Sequence, residues 1–335
     1  MKRVLAVRQD NNGDVLLAGP ALRAIAASAE VTLLAGPRGA AAAKLLPGVA
    51  DVLIQHAAWI DAEPEPVRPE GARAFVEDIG ARRFDAAVVF TSFHQSPLPM
   101  ALLLRMAGVP WIGAISVAYA GTLLDLRHRI DDDVHEVHRA LSLAGACGFT
   151  LPPGDDGRLA MRMTGGPPIE RPYVVVHPGA TVPARAWSRE RNRSLVERLA
   201  ARRDRRVVVT GGHDERELTA YVAGHTGAID LGGKTDFGGL AATIAGADAI
   251  VVGNTGAAHV AAAVGTPVIS LFPPTIAAVR FRPWGVPHRL LGDQDIPCRG
   301  CRARVCPIPG QPCLGVVEVD DVVRALEDLL LAGAA

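Results

Sequence analysis

The sequence predicts an α/β protein built as two Rossmann-like lobes that face a central cleft. Short apolar runs alternate with helical patterns along the chain, as in parallel βαβ units whose sheet is covered on both faces. The length of 335 residues suits two domains of about 150 residues each. The alternation stops over residues 151–172, where five prolines and four glycines interrupt it, and then begins again.

The first half contains four predicted strands and three predicted helices. The strands are short apolar runs at 4–7, 31–34, 52–54 and 86–90. The helices have suitable spacing or composition at 22–29, 40–46 and 72–82. We place this first lobe at residues 1–160.

The second half repeats the pattern. Its predicted strands lie at 174–176, 207–210, 249–252 and 268–272, and its predicted helices at 189–203, 235–245 and 255–264. We place this second lobe at residues 161–318. An amphipathic helix over 319–331 closes the chain within a final segment, 319–335. Since ligands of open α/β sheets bind beyond the carboxyl ends of the strands, both lobes should present binding loops there.

The composition excludes several classes of protein. The 35 basic and 35 acidic residues give a net charge of zero, which argues against a general nucleic-acid-binding protein. An apolar share of 49% is too high for a disordered chain. No secretory signal is evident at the start, and no stretch reaches the roughly 18 to 20 apolar residues of a membrane span. We therefore expect a cytoplasmic protein with at most peripheral membrane contact.

The loop after the first predicted strand carries two carboxylates. It runs Gln9-Asp10-Asn11-Asn12-Gly13-Asp14 and opens a helix, but it lacks the glycine patterns of dinucleotide and phosphate loops. Asp10 and Asp14 would face the cleft, where a carboxylate can accept the proton of an attacking hydroxyl. The alternative is that Asp14 caps the helix, because aspartate is a favoured cap residue. The spacing alone favours the cap.

A helix start in the second lobe predicts an anion-binding site. The stretch Asn254-Thr255-Gly256-Ala257-Ala258-His259 directly follows an apolar strand. The first amides of a helix have no acceptor within it, and the helix dipole adds partial positive charge, so the amides of 255–257 can bind an anion. His259 lies one turn further on and could reach a phosphate oxygen or a sugar hydroxyl. The alternative is a helix capped by Asn254 with His259 packed in the core.

Three further loops of the second lobe contain residues suited to a ligand. Pro178-Gly179 follows a strand and leads to Arg185, whose guanidinium can clamp a diphosphate. Gly211 ends the next strand and would let a ligand approach the backbone. Lys234 follows a Gly-Gly turn and precedes a predicted helix.

Four cysteines lie close together near the end of the second lobe. Cys298, Cys301, Cys306 and Cys313 fall within 16 residues. In a cytoplasmic chain this spacing favours a structural zinc site over disulfide bonds. An iron–sulfur cluster and reduced thiols without a ligand are the alternatives, and the spacing leaves them open.

Several stretches together are similar to one known family. They are GDVLLAGPALR at 13–23, AGVPWIGA at 107–114, residues 185–187, LGGKTDFGGLAATIAGAD at 231–248 and NTGAAHVAAAVGTPVISLF at 254–272. The chain resembles the ADP-heptose–lipopolysaccharide heptosyltransferases, glycosyltransferase family 9, in which a cysteine-rich loop before a final helix is also frequent. The resemblance extends in order over nearly the whole chain.

The resemblance implies a GT-B fold with an acceptor-binding first lobe and a nucleotide-sugar-binding second lobe. It implies an inverting transfer of heptose or a related sugar from a nucleotide diphosphate, ADP-linked in the family, to a hydroxyl of a glycan or small-molecule acceptor. Asp10, Asn12 and Gly13 would lie on the acceptor side. No cofactor or metal would take part in catalysis, so any zinc at the cysteines would be structural. The lobes would close for turnover, at the inner face of the membrane if the acceptor is anchored there.

The resemblance also implies roles for single residues. Asp14 matches the catalytic base that takes the acceptor proton. Arg185 matches a position that is usually lysine and binds the donor phosphates; all but three of the 35 basic residues here are arginines. Thr255, Gly256 and His259 match the contacts to the donor diphosphate and sugar. Asn254 stands where the family usually has aspartate, which removes a group that only accepts hydrogen bonds. The remaining donor-side residues would be Pro178, Gly179, Gly211, Lys234 and Ala257.

Two other functions are the alternatives. A sugar-nucleotide epimerase of similar two-lobed fold would need acid and base groups around the donor sugar, and the sequence shows no such set. A non-catalytic sugar-nucleotide-binding protein is compatible with Asn254, but the presence of Asp14 argues against it.

Overall fold

The computed structural model describes residues 2–61 and 64–333, and the chain divides into two compact units, Met1–Arg162 and Met163–Ala335. Each unit contains a six-stranded, fully parallel sheet with α-helices between most successive strands. The predicted α/β class with two Rossmann-like halves is therefore confirmed. No helix within the described residues is both long and apolar enough to cross a membrane.

The first unit is built around the apolar strand β1. Its elements are β1 (Lys2–Arg8), α1 (Asn12–Leu17), α2 (Gly19–Ala26), β2 (Ala29–Ala35), α3 (Ala40–Ala43), β3 (Val49–Ile54), α4 (Pro69–Arg82), β4 (Ala86–Val89), α5 (Leu98–Met106), β5 (Ile112–Ile115), β6 (Leu126–His128) and α6 (Glu136–Ala146). The strand order is β3-β2-β1-β4-β5-β6. Residues 4–7 of β1 are at most 2% exposed, because a strand in the middle of a parallel sheet is covered on both faces.

The second unit repeats this arrangement. Its elements are β7 (Tyr173–His177), α7 (Arg189–Arg202), β8 (Arg206–Val209), α8 (Arg216–Ala223), β9 (Ile229–Asp230), α9 (Phe237–Ala245), β10 (Ala249–Gly253), α10 (Gly256–Val264), β11 (Val268–Leu271), α11 (Ala278–Phe281), β12 (His288–Leu291), α12 (Pro312–Gly315) and α13 (Val319–Gly333). The strand order is β12-β11-β10-β7-β8-β9. The apolar side of α13, including Val322, Leu326 and Leu329, packs into the core of this unit.

The strand order determines where ligand-binding loops can lie. In each unit the order changes direction between the first and the fourth strand, β1 and β4 in one unit and β7 and β10 in the other. The chain leaves these neighbouring strands towards opposite sides, which opens a crevice at their carboxyl ends. The loops after β1, β4, β7 and β10 are therefore the first places to examine for a site.

Some predicted elements are wrong in extent. The predicted helix at 22–29 instead begins at Gly19 and ends at Ala26, and residue 29 already belongs to β2. The predicted helix at 40–46 has only four residues. Several elements were not predicted, among them the helices α1, α5 and α8 and the edge strands β6, β9 and β12.

Candidate functional site

In the first unit, a buried arginine lies at the carboxyl end of β1. Arg8 is 3% exposed, and its Nε lies 2.9 Å from Asp10 Oδ2. Its Nη2 lies 3.3 Å from Asp14 Oδ1. A buried guanidinium requires such charged partners, because burial without them costs several kcal/mol. The two carboxylates that the sequence singled out are thus brought together by a residue that it did not.

The loop after β4 and the start of α6 complete this charged cluster. Arg8 Nη2 donates to Ser92 Oγ at 2.9 Å and lies 3.9 Å from Glu136 Oε2. The Gln95 amide donates to Asp10 Oδ1. Burial raises the pKa values of Asp10 and Glu136, and the charge of Arg8 opposes both shifts. The one sequence signal was an arginine, Arg8, at the end of an apolar run; Glu136 lies in the polar stretch 131–139, and its meeting with Arg8 depends on the fold.

Asp14 is the third residue of α1 and does not cap it. The cap position is Asn11, so the interpretation of Asp14 as a helix cap is wrong. The Asp14 side chain is 21% exposed, the most of the three carboxylates around Arg8. Asn12 Oδ1 accepts from the Ala42 amide at 3.0 Å, and Gly13 is buried. Asn12 therefore anchors the start of α1 to α3, while Asp14 stays accessible.

In the second unit, the predicted ligand-binding residues lie on two adjacent loops. Pro178 and Gly179 follow β7, Asn254 and Thr255 follow β10, and β7 pairs with β10. Helix α10 begins at Gly256 with Thr255 in the cap position, so the interpretation of Asn254 as the cap is wrong. The Thr255 amide donates to Gly253 O at 2.9 Å. Contrary to the expectation from the sequence, it is therefore not available to an anion. The amides of Gly256 and Ala257, the first two of the helix, have no acceptor within it.

Three polar atoms at the start of α10 have unused hydrogen-bonding capacity. In the described part of the chain, Asn254 Nδ2, Thr255 Oγ1 and His259 Nδ1 are inaccessible and have no hydrogen-bond partner. Asn254 and His259 are each 5% exposed. Because buried polar atoms are nearly always hydrogen-bonded, three unpartnered ones at the end of β10 and the start of α10 indicate a site for a polar ligand or for water.

Arg185 lies against the end of β10. It ends a 3₁₀ turn, Pro183–Arg185, and a Cβ at Gly253 would lie 2.8 Å from Arg185 O. The glycine is therefore needed for this close approach. Burial, and then the positive charge of Arg185, lowers the pKa of His259 to about 4. His259 is consequently a neutral imidazole at neutral pH.

The glycines after β7 and β8 enclose a glutamate that sequence analysis missed. A Cβ at Gly179 would overlap Glu215 Oε1, and one at Gly211 would lie 3.1 Å from Glu215 Oε2. Glu215 Oε2 also accepts from the Gly212 amide at 2.7 Å. The only sequence signal was an acidic residue shortly after a Gly-Gly turn.

Lys234 is separate from this group. It follows β9 at the edge of the sheet, and its Nζ donates to Asp230 O at 2.6 Å. The structure therefore does not group Lys234 with the residues that follow β7 and β10.

The four cysteines of the loop before α13 differ in burial. Within residues 2–61 and 64–333, no three histidine, cysteine, aspartate or glutamate side chains are placed to hold a metal ion. Cys313 is buried, Cys301 is exposed, and Cys298 and Cys306 are intermediate. Zinc at these residues therefore stays a prediction.

Comparison with known proteins identifies relatives of this chain. A relative, lipopolysaccharide heptosyltransferase 3 of Escherichia coli, is 32% identical over 166 residues, which are 47% of this chain and 47% of that protein. The chain thus spans about half the length of this curated relative.

Two solved structures show the same fold over nearly the whole chain. The E. coli ADP-heptose LPS heptosyltransferase II has a TM-score of 0.76 and 20% identity, with 100% of both chains covered. The E. coli heptosyltransferase WaaC with ADP-2-deoxy-2-fluoro heptose has a TM-score of 0.73 and 23% identity, with 97% of this chain and 99% of that chain covered. These likenesses show the GT-B fold.

The model of glycosyltransferase family 9 (heptosyltransferase) matches residues 72–311, which is well over half of the chain. The protein therefore belongs to glycosyltransferase family 9, the heptosyltransferases.

Proposed function

We propose that this protein is an inverting, metal-independent glycosyltransferase that moves heptose or a related sugar from an ADP-linked donor to a hydroxyl of a glycan or small-molecule acceptor. The observation that carries this proposal is the set of unpartnered polar atoms on Asn254, Thr255 and His259, next to Arg185. A phosphorylated sugar offers acceptors and hydroxyls for these atoms. The E. coli relative solved with an ADP-linked sugar favours ADP as the nucleotide.

On the donor side, positively charged and hydrogen-bond-donating groups would bind the leaving diphosphate. As the bond to the sugar breaks, negative charge develops on the diphosphate, and preorganised donors there lower the barrier. The Arg185 guanidinium and the first amides of α10 would supply this stabilisation, the role that a metal ion takes in other phosphate chemistry. The neutral His259 would donate or accept a hydrogen bond without adding charge.

On the acceptor side, Asp14 would act as the general base. Its side chain is 21% exposed, and Arg8 holds its Oδ1 at 3.3 Å. The carboxylate would take the proton as the acceptor hydroxyl attacks the sugar carbon. Attack from the face opposite the leaving diphosphate gives inversion. The acceptor-side roles of Asp10, Asn12 and Gly13 would be to fix the position of this loop.

Product analysis tests the proposal. The protein is incubated with ADP-, GDP- and UDP-sugars, with and without candidate acceptors, and nucleoside diphosphate release is measured. Acceptor-dependent release of ADP that persists in EDTA, with NMR showing an inverted anomeric centre, is expected. A donor-only epimer would instead establish the epimerase. Donor binding without any product would establish a non-catalytic binding protein.

A further inference from the structure

The cysteine-rich loop holds the residue that precedes Arg185. Ala184 is 3% exposed, and its amide donates to Arg304 O at 2.9 Å. Its carbonyl oxygen accepts from Gln311 Nε2 at 2.7 Å. Both polar groups of the Ala184 backbone are therefore bonded to one loop, 120 or more positions further along the chain.

The same loop also bonds to the segment after β11. The Gly300 amide donates to Pro274 O at 2.7 Å, and the Arg302 amide donates to Thr275 O at 3.0 Å. In the sheet, β11 is the neighbour of β10, whose end lies against Arg185 O. The loop thus ties together two segments beside the end of β10.

Gln311 is itself held in an unusual conformation. Its φ of 45° lies in the left-handed region, which residues other than glycine rarely adopt. Its amide donates to Ile308 O at 3.1 Å, and its carbonyl oxygen accepts from the Gly315 amide at 2.8 Å. Arg191 Nη1 secures the next turn by donating to Gly315 O at 2.7 Å. A strained backbone held by several bonds keeps the Gln311 side chain pointed at Ala184.

We propose that Gln311 is a positioning residue that sets the direction of the Arg185 guanidinium through Ala184. This inference rests on the proposed role of Arg185 in binding the donor diphosphate. A merely structural role for Gln311 would act on the stability of the unit and not specifically through Arg185. The two roles differ in whether the effects of changing Gln311 and Arg185 add.

A double-mutant cycle on the full chain, with ADP binding measured by calorimetry, tests this. Gln311→Met keeps the approximate size of the side chain and removes the amide group that donates to Ala184 O. We expect it to weaken ADP binding by about three- to tenfold, as for the loss of one hydrogen bond. In the Arg185→Ala background the same change should weaken binding by less than about twofold, because the guanidinium that it positions is gone. Val305→Ala, a change at a 70% exposed residue of the same loop, is the control and should leave binding unchanged.

The outcomes separate the inference from the function on which it rests. An equal loss from Gln311→Met in both backgrounds, or no loss in either, would overturn the positioning role while Arg185 keeps its own. Unchanged ADP affinity in Arg185→Ala alone would overturn the role of Arg185, and the positioning role with it.

Discussion

Three carboxylates surround Arg8, and unequal burial separates their chemistry. The side chains of Asp10 and Glu136 are 9% and 3% exposed, whereas that of Asp14 is 21% exposed. Burial raises the pKa values of Asp10 and Glu136 above their ordinary range, against the opposing charge of Arg8. Asp14 is therefore the carboxylate of this cluster that a substrate hydroxyl can reach.

Replacing Asp14 tests whether it is the base. Asp14→Asn keeps the shape of the side chain but cannot accept the acceptor proton, so kcat should fall by at least about 100-fold while ADP affinity stays unchanged. Steady-state kinetics and ADP titration measure the two effects. Asp156→Asn, which changes an exposed carboxylate of the same unit, should leave kcat unchanged. Undiminished transfer by Asp14→Asn would exclude the base assignment.

His259 should make stability fall in mild acid. Its pKa is about 4 in the folded protein and 6.5 ordinarily, chiefly because burial disfavours the charged ring. Between the folded pKa of about 4 and the ordinary pKa of 6.5, the unfolded chain binds more protons than the folded protein. The contribution of His259 to the free energy of unfolding is therefore fully present above the ordinary pKa, and it declines as the pH falls towards the folded pKa. By about pH 4.5 the free energy of unfolding should lose about 2 to 3 kcal/mol from this group.

Urea unfolding of the wild type and His259→Gln, each at neutral pH and at about pH 4.5, isolates this effect. Carboxylates also titrate in this range, so the informative quantity is the difference between the two proteins. We expect the variant to lose about 2 to 3 kcal/mol less than the wild type on acidification. Equal losses would mean that His259 does not remain neutral on folding.

At the scale of elements, the helices of the second unit differ in whether a side chain accepts a hydrogen bond from an amide of their first turn. Ser188 Oγ accepts from the Arg191 amide at 3.2 Å at the start of α7, and Asp236 Oδ1 accepts from the Gly239 amide at 2.7 Å at the start of α9. Among the described residues, no side chain caps α10 in this way. The capped helices gain stability, whereas the first amides of α10 have no side-chain acceptor among the residues described, as the proposed binding of a diphosphate requires.

The cap of α9 gives an element-scale prediction. Asp236→Ala removes the acceptor for the Gly239 amide and should lower the free energy of unfolding by about 1 kcal/mol. Asp236→Ser is the matched control, since serine can accept the same bond and should restore most of the loss. Urea unfolding measures both. Equal destabilisation by alanine and serine would show that the cap hydrogen bond is not the cause.

At the scale of the whole molecule, the two units have equivalent strand orders. The side chains at the point where the strand order changes direction differ between them. In the first unit, carboxylates surround Arg8. In the second, neutral polar atoms lie beside Arg185. A negatively charged diphosphate should therefore bind the second unit and avoid the first.

Hydrogen exchange on the full chain tests this division. With ADP added, we expect slower amide exchange in residues 177–181 and 254–259, because a bound ligand suppresses local opening. Residues 9–14 should exchange at an unchanged rate. Arg185→Ala should reduce the protection at the ADP concentration used for the wild type. Protection confined to residues 9–14 would contradict the assignment of the donor to the second unit.

The sequence predicted the central strands better than the edges. The β1 segment 4–7 is an unbroken apolar run, because both faces of a central strand are buried. The strand β6 contains Arg127 and His128, and β9 has only two residues, so neither has an apolar pattern to recognise. The cysteine spacing predicts a metal site that stays untested, because separation in sequence does not by itself orient side chains.

The sequence by itself determined which residues lie in the loops and helix starts that follow the ends of buried strands, Asp14, Asn254 and His259 among them. An apolar run followed by a polar, glycine-containing loop marks such an end directly. Only the tertiary structure decided which distant residues meet. Arg8 meets Glu136, and Ala184 meets Gln311, which lies 127 positions further along the chain. The pairing of parallel strands brings together residues that are distant in the chain. The hydrogen bonds between the strands are made by backbone groups, which are the same in every sequence.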